Sequence, residues 1–340
     1  MPDPDISIVM PLFNVEPYLN DCLQSLGRQT FGHTAATRGR AAELIIVNDG
    51  SSDTSPLIAA EFAAQMNQSN PALRVAILHK ENEGASLARR DGLAQARGEW
   101  LAFVDSDDWV ATDFLERLYL KAEQSRCDVV ACGLTRTPDP FTRGNVVTPV
   151  FNQDSSSVLS GSEKFCINDY PLFWNKLWRR SLIERWLALG GEFPGKEVTF
   201  GEDIALTYIW IALGERLTWV PDCLYFYRKR SNSAVSQCWT DSRHRRSIRL
   251  AVKHMLQEAS KMKLLEAYRA AFARVAVLHL IRANAYEIRN AILGQASAEE
   301  YCVSALSVLG QWFPDWVRLT AENEEERAIF TRLSLAVVPR

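Results

Sequence analysis

Along roughly the first 130 residues, short apolar runs alternate with stretches whose apolar positions recur every third or fourth residue. The runs ISIVMPLF (6–13), AELIIVND (42–49), LRVAILHK (73–80), EWLAFVDSDD (99–108) and CDVVACGL (127–134) are the first kind. They are rich in β-branched residues and lack strict alternation, the pattern of strands covered on both faces. Between the first two runs, Leu19, Cys22, Leu23 and Leu26 share one helical face. Further helices are predicted over 55–66, 84–96 and 112–125. Ser55 is the expected N-cap of the first of these, with Pro56 at the first helical position, and Thr112 the expected cap of the last. Strand–helix alternation predicts an α/β fold: a mostly parallel central sheet flanked by helices.

Two stretches break the pattern. Residues 31–42 (FGHTAATRGRAA) read as a polar loop able to alter acceptor access. Residues 135–160 are rich in Pro, Thr, Ser and Asn and read as a loop or hairpin on the acceptor side, with VVTPVF (146–151) as a short strand. From about Thr240 the chain reads as almost wholly helical. The expected organisation is a catalytic domain over 1–238, divided near 132 into nucleotide-binding and acceptor halves, and a helical C-terminal extension over 239–340.

Length and composition narrow the class. A chain of 340 residues with 47% hydrophobic content suits one large domain, or one domain with an appendage. The net charge of −3 argues against nucleic acid as a partner. Seven cysteines include no CxxC pair, so they read as small buried hydrophobes in a reducing cytosol rather than metal or redox ligands. The acidic start MPDPDISIVMPLFN reads as no signal peptide. No run reaches the ~18 apolar residues of a membrane span. The expected location is therefore the cytoplasm.

Candidate chemistry sits where the predicted strands end, since ligands of parallel sheets bind beyond the carboxyl ends. In VDSDD, Asp105 and Asp107 flank one residue after a buried strand. Carboxylates this close repel unless a cation joins them, and Mg²⁺ or Mn²⁺ suits such oxygen ligands. Taken alone, the same residues could be an acidic turn with Asp107 or Asp108 capping a helix. Asp49, before Gly50, could accept hydrogen bonds from a base or ribose, or belong to a plain Asp-Gly turn. FWNKLWRRS (173–181) could stack a sugar on Trp174 or Trp178, or place both in the core. Between Asp241 and Arg289 there are 11 Lys/Arg against 4 Asp/Glu, a basic, partly apolar region suited either to an anionic membrane or to solvent.

The ordered set SIVMPLFNVEPYLNDCLQSLGRQT, ELIIVNDGSSDTS, NEGASLARRDGLAQARGEWLAFVDSDDW, FWNKLWRRSLI, FGEDIALTYIW and LYFYRKRSNSAVS resembles family 2 glycosyltransferases of the GT-A fold. It is most similar to bacterial enzymes that build capsule, exopolysaccharide or lipopolysaccharide, over about residues 5–236. The resemblance implies a nucleotide pocket lined by Pro11, Phe13 and Glu16, with Asp49 on a uracil base and Arg89 near the base or diphosphate. It implies a DxD motif, with Asp105 nearer the ribose and Asp107 on a Mn²⁺ or Mg²⁺ ion. Asp203 would be the catalytic base and Arg228 would close over the diphosphate or acceptor. The implied reaction is inverting transfer from a nucleotide-sugar, a UDP-sugar first, to a saccharide or lipid-linked saccharide. The basic C-terminal helices would allow peripheral contact with the inner membrane; no oligomeric state is implied. Asn48 and Asp91 depart from the usual pattern, as does the length of the 31–42 loop. An inactive sugar-binding relative and a sugar nucleotidyltransferase are the alternatives. PLFNVEPY lacks the Gly-rich basic loop that the second would need.

Overall fold

A computed structural model describes residues 3–137, 145–147, 158–166, 172–229, 242–282, 300–320 and 331. The chain forms two compact units, Met1–Lys196 with Trp210–Ser231, and Glu197–Ile209 with Asn232–Arg340.

The first unit is built on one mixed sheet. Its strands are β1 (Ile6–Leu12), β2 (Ala42–Asp49), β3 (Leu73–Lys80), β4 (Trp100–Phe103), β5 (Trp109–Val110), β6 (Val129–Thr137), β7 (Asn145–Val147), β8 (Lys176–Arg179) and β9 (Leu217–Arg228). The order is β3-β2-β1-β4-β8-β6-β9-β5, with β7 added on β6. β3, β2, β1 and β4 are mutually parallel, as the sequence predicts. Every residue of β1, β2 and β4 is buried, which explains the unbroken apolar runs. Pro11 is tolerated in β1 because the ladder to β4 ends at Val9 and Phe103, so no N–H is required beyond it.

The other half of the sheet was less legible. β8 runs antiparallel between β4 and β6. Its sequence, KLWR, carries no strand signature, yet Lys176 and Trp178 are both buried. β9 pairs parallel to β6 through a register break opposite Gly133, where Pro221 and Asp222 stand exposed. A Cβ on Gly133 would lie 2.9 Å from the Asp222 carbonyl oxygen, so the bulge needs glycine there. Trp210 stacks on Phe103 and meets Trp178 and Trp186 edge to face. Trp178 is therefore a core residue, and Trp174, also buried, packs on Tyr225 with centroids 4.2 Å apart. The sugar-stacking alternative for these two tryptophans gives way to the core reading.

Helices α1 (Glu16–Gly27), α2 (Ser55–Ser69), α3 (Ala85–Gln95), α4 (Phe114–Ser125) and α5 (Arg180–Ala188) fall close to the predicted spans where spans were predicted. Their caps do not. α2 starts at Ser55 after Thr54, and the Ser55 hydroxyl instead accepts from the Val15 amide at 3.1 Å. Asp113, not Thr112, precedes α4. The 31–42 loop enters β2 at its amino edge, where Arg40 pairs with Asp5. Glu116 of α4 accepts from Thr30 and Thr34, and Phe31 is buried against Tyr119. The loop thus closes the edge opposite the carboxyl ends of the strands. Of the 135–160 stretch, β6 extends to Thr137 and Asn145–Val147 pairs antiparallel with it; residues 138–144 and 148–157 lie outside the described residues.

The second unit contains the start of α6 (Glu202–Leu213), then α7 (Ser242–Lys261), α8 (Leu264–Ala267), α9 (Arg269–Arg282), α10 (Glu300–Trp312) and α11 (Trp316–Thr320). Ala251, Val252, Met255, Leu256, Phe272 and Ala276 form part of its core. Among the described residues, no helix is long and apolar enough to cross a membrane.

Glycine decides how closely α3 lies on the sheet. A Cβ on Gly92 would fall 2.6 Å from Val9 Cγ1 and 3.0 Å from Val47 Cγ2. Replacing Gly92 with Val is expected to cost about 1–3 kcal/mol by overpacking, read as a lower urea midpoint at unchanged slope.

Candidate active site

The site is built at the carboxyl edge of the parallel strands. The segments after β1 and β2 are laced together first. The Asn14 amide donates to Ser51 Oγ, and Asn14 Oδ1 accepts from the Ser52 amide at 2.8 Å. The Glu16 amide donates to Asp53 Oδ2 at 3.0 Å, while Glu16 Oε2 accepts from the Thr54 amide at 3.3 Å. Glu16, expected to line a nucleotide pocket, has its carboxylate engaged in this lacing. Phe13 stands at the rim, 46% exposed, beside Asn14 in the left-handed region at φ 48°. An exposed aromatic ring there offers a flat apolar face, whereas Pro11 is inside the strand.

Asp49 closes β2 and is 2% exposed. Its two oxygens accept from the Glu83 and Gly84 amides at 2.9 and 2.7 Å, which fixes the entry to α3. The sequence suggested a base or ribose partner and gave no sign of this one. Gly50 follows at φ 78°, with Asn82 so near that a Cβ would sit 2.9 Å from its nitrogen. One turn into α3, Arg89 is buried and its Nη2 donates to Asp105 Oδ1 at 2.5 Å. The guanidinium also lies 4.7 Å from the Phe173 ring centre. Asp49, α3, Arg89 and Asp105 therefore form one chain of contacts. Asp91, the departure in this helix, bonds Lys80 Nζ at 2.5 Å and lies outside that chain.

The DSDD turn carries three carboxylates of unequal character. Asp105 and Asp107 are half-buried, while Asp108 is fully buried. Both Asp108 oxygens are taken by β9, one accepting from the Tyr225 hydroxyl at 2.9 Å and the other from the Arg228 amide at 2.8 Å. It caps no helix. Burial, then the charges of Asp107 and Asp105, push its carboxyl well above the ordinary range. The same burial and the same three aspartates push up the Cys22 thiol beneath them.

Among the described residues, no group of three or more His, Cys, Asp or Glu could hold a metal unaided. A hard divalent ion of the Mg²⁺ type takes one or two carboxylates and fills its remaining positions with water and phosphate oxygens. Asp105 and Asp107 fit that donor set without a third protein ligand.

Arg228 was expected over a diphosphate or acceptor. The residue is 5% exposed, with Nε donating to the Asp107 carbonyl at 2.8 Å and Nη2 to Asp21 Oδ2 at 2.7 Å. The rest of YRKRSNSAVS, from residue 230, lies outside the described residues. Asp203 belongs to the second unit, in the first turn of α6, after Gly201 at φ 83°. Its Oδ1 accepts from the Ile204 amide at 3.0 Å. Asp21, Tyr225 and Asp108 were not singled out as site residues. The third aspartate of DSDD was the one available signal, since a third charge in four positions demands a separate partner.

Comparison with known proteins agrees with this architecture. The family described as Glycosyl transferase family 2 matches residues 7–186. Glycosyltransferase EpsJ of Bacillus subtilis, itself uncharacterised, is 32% identical over 238 residues, or 68% of this chain and 62% of that protein. The putative glycosyltransferase EpsH of the same organism is 31% identical over 70% of this chain and 64% of its own length. The chain thus spans less than two thirds of either relative. A crystal structure of residues 1–349 of Staphylococcus aureus TarS in complex with UDP-GlcNAc superimposes with a TM-score of 0.67. It covers 98% of this chain and 88% of that one at 20% identity, a likeness of fold.

If Asp49 serves the scaffold, its loss should be felt without any ligand. Asp49→Ala leaves two backbone amides unpaired and is expected to cost about 1–3 kcal/mol in nucleotide-free protein. Asp49→Asn keeps one acceptor and should fall between, both read by urea unfolding.

Proposed function

Because the chain belongs to glycosyl transferase family 2, we propose that it transfers a sugar from a nucleoside-diphosphate donor to a hydroxyl of a saccharide. A UDP-sugar is the first candidate donor, since the TarS fragment of the same fold was crystallised with UDP-GlcNAc. The proposed acceptor is a growing surface or exo-polysaccharide or a lipid-linked oligosaccharide. The observation that carries the reading is the linked set Asp49–α3–Arg89–Asp105, beside Asp107, at the carboxyl edge of β2 and β4. That edge is where parallel sheets bind nucleotides.

In this reading, Phe13 offers its exposed ring to the base, and Asp49, by holding the start of α3, also shapes the base pocket. Asp105 and Asp107 hold the divalent ion, Mn²⁺ or Mg²⁺. When bound, that ion neutralises charge growing on the leaving diphosphate. Arg89 fixes the Asp105 carboxylate and adds positive charge behind it. Asp203 takes the proton of the acceptor hydroxyl, which as a neutral alcohol attacks poorly. Attack from the face opposite the leaving group passes through an oxocarbenium-like state and inverts the anomeric centre.

The basic character of the C-terminal region supports a second element. Arg243, Arg246, Lys253 and Lys261 of α7 are exposed, and the helix's single carboxylate, Glu258, is buried. Such a face suits the anionic lipids of a cytoplasmic leaflet, where a lipid-linked acceptor would be presented.

Release of UDP from a panel of UDP-sugars with Mn²⁺ is the direct test. Activity should need the metal and disappear in Asp107→Ala. Asp203→Asn should lower kcat by about 10²–10⁴-fold with donor KM little changed. Metal-independent turnover, or an Asp203→Asn variant as fast as wild type, would refute the assignments. For the membrane element, co-sedimentation with phosphatidylglycerol vesicles should exceed that with phosphatidylcholine. It should fall with added salt and in the double variant Arg246→Glu, Lys253→Glu.

A further inference from the structure

We propose that Arg228, Tyr225 and Asp108 are positioning residues that set the backbone of the Asp105–Asp107 turn from behind, and that Arg228 does not contact the donor. The inference rests on the reading of Asp105 and Asp107 as the metal-binding pair. Two backbone groups bracket Ser106 in that turn, the amide of Asp105 and the carbonyl of Asp107. Both are held by β9. The Asp105 amide donates to the Tyr225 hydroxyl at 3.1 Å, and the Asp107 carbonyl accepts from Arg228 Nε at 2.8 Å. Asp108 joins the two anchors, since one oxygen takes the Tyr225 proton and the other the Arg228 amide. The turn is therefore fastened on each side of its central residue to a single strand.

Arg228 is in turn braced by two elements. Its Nη2 reaches Asp21 of α1 at 2.7 Å, and its guanidinium lies 5.1 Å from the ring centre of Tyr18, also on α1, and 4.6 Å from that of Trp109 of β5. A planar cation between two aromatic rings, bonded at two nitrogens, is held in one orientation. An arginine recruited to bind phosphate would direct its fork at the ligand. This one spends its fork on a main-chain carbonyl and a carboxylate. Its effect on the donor would pass through the placement of Asp107, as outer partners orient ligating carboxylates elsewhere.

Calorimetry on Arg228→Lys distinguishes the roles. UDP binding is measured with and without Mn²⁺, below the melting temperature of each protein. Lysine keeps the charge and loses the fork. The expected result is a loss of about tenfold or more in Mn²⁺-dependent UDP affinity, in the range for outer-sphere partners, with metal-free UDP affinity unchanged. Asp21→Asn, at a half-exposed site on α1, should give a smaller loss of the same kind and serves if Arg228→Lys does not fold. Equal loss with and without Mn²⁺ would mean that Arg228 touches the donor, and overturns the proposal. A lower melting temperature with both affinities unchanged would mean a purely structural residue, and overturns it too. Wild-type protein that binds UDP no better with Mn²⁺ than without would instead refute the metal-pair reading on which the proposal rests.

Discussion

Three carboxylates within four positions repel one another at a strand end, and groups from other elements meet Asp105 and Asp108. That repulsion organises the first unit. Asp105 is met by Arg89 from α3, Asp108 by Tyr225 and the Arg228 amide from β9, and the carbonyl of Asp107 by the Arg228 side chain. Each solution draws in another element. α3 must lie close enough for Arg89 to reach, which Gly92 permits, and β9 must end beside the turn, which its pairing with β5 arranges. The acidic turn is thus the place where α3, β4, β5 and β9 are tied together.

Burial raises the cost of leaving Asp108 ionised, while Asp105 and Asp107 stay half-buried at the strand end. The same arrangement links structure to the proposed chemistry, because the groups that stabilise the turn also fix where a ligand ion would sit.

The apolar runs made the parallel half of the sheet legible, because a strand covered on both faces can be written in few ways. β2 and β3 were read to the residue. The antiparallel half was not legible. KLWR is too short and too polar for a strand signal, and the ammonium of buried Lys176 donates to the Leu172 carbonyl and Asn175 Oδ1. β9 hides behind Pro221 and Asp222, residues that argue against a strand until Gly133 is seen to make room for the bulge. The caps failed for a related reason. Ser55 and Thr112 have the right chemistry for capping, but the Val15 amide takes the Ser55 hydroxyl from far along the chain, and the helix starts one residue later than Thr112 would cap, after Asp113.

Residue types and their spacing determined by themselves the α/β class, the family resemblance and the clustering of carboxylates after buried strands. These are local properties, since hydrophobic period and charge density can be counted along the chain. Tertiary structure alone decided what each polar side chain does. Asp49 holds the start of α3, Glu16 laces two loops, and the 31–42 loop lies at the amino edge of the sheet. Arg228 bonds Asp21 and the carbonyl of Asp107. The partners named for Asp49, Glu16 and Arg228 stand far away in sequence, from 34 residues for Asp49 and Glu83 to 207 for Arg228 and Asp21. A hydrogen bond of 3 Å depends on where two separate elements come to rest, and no periodicity along the chain encodes that distance.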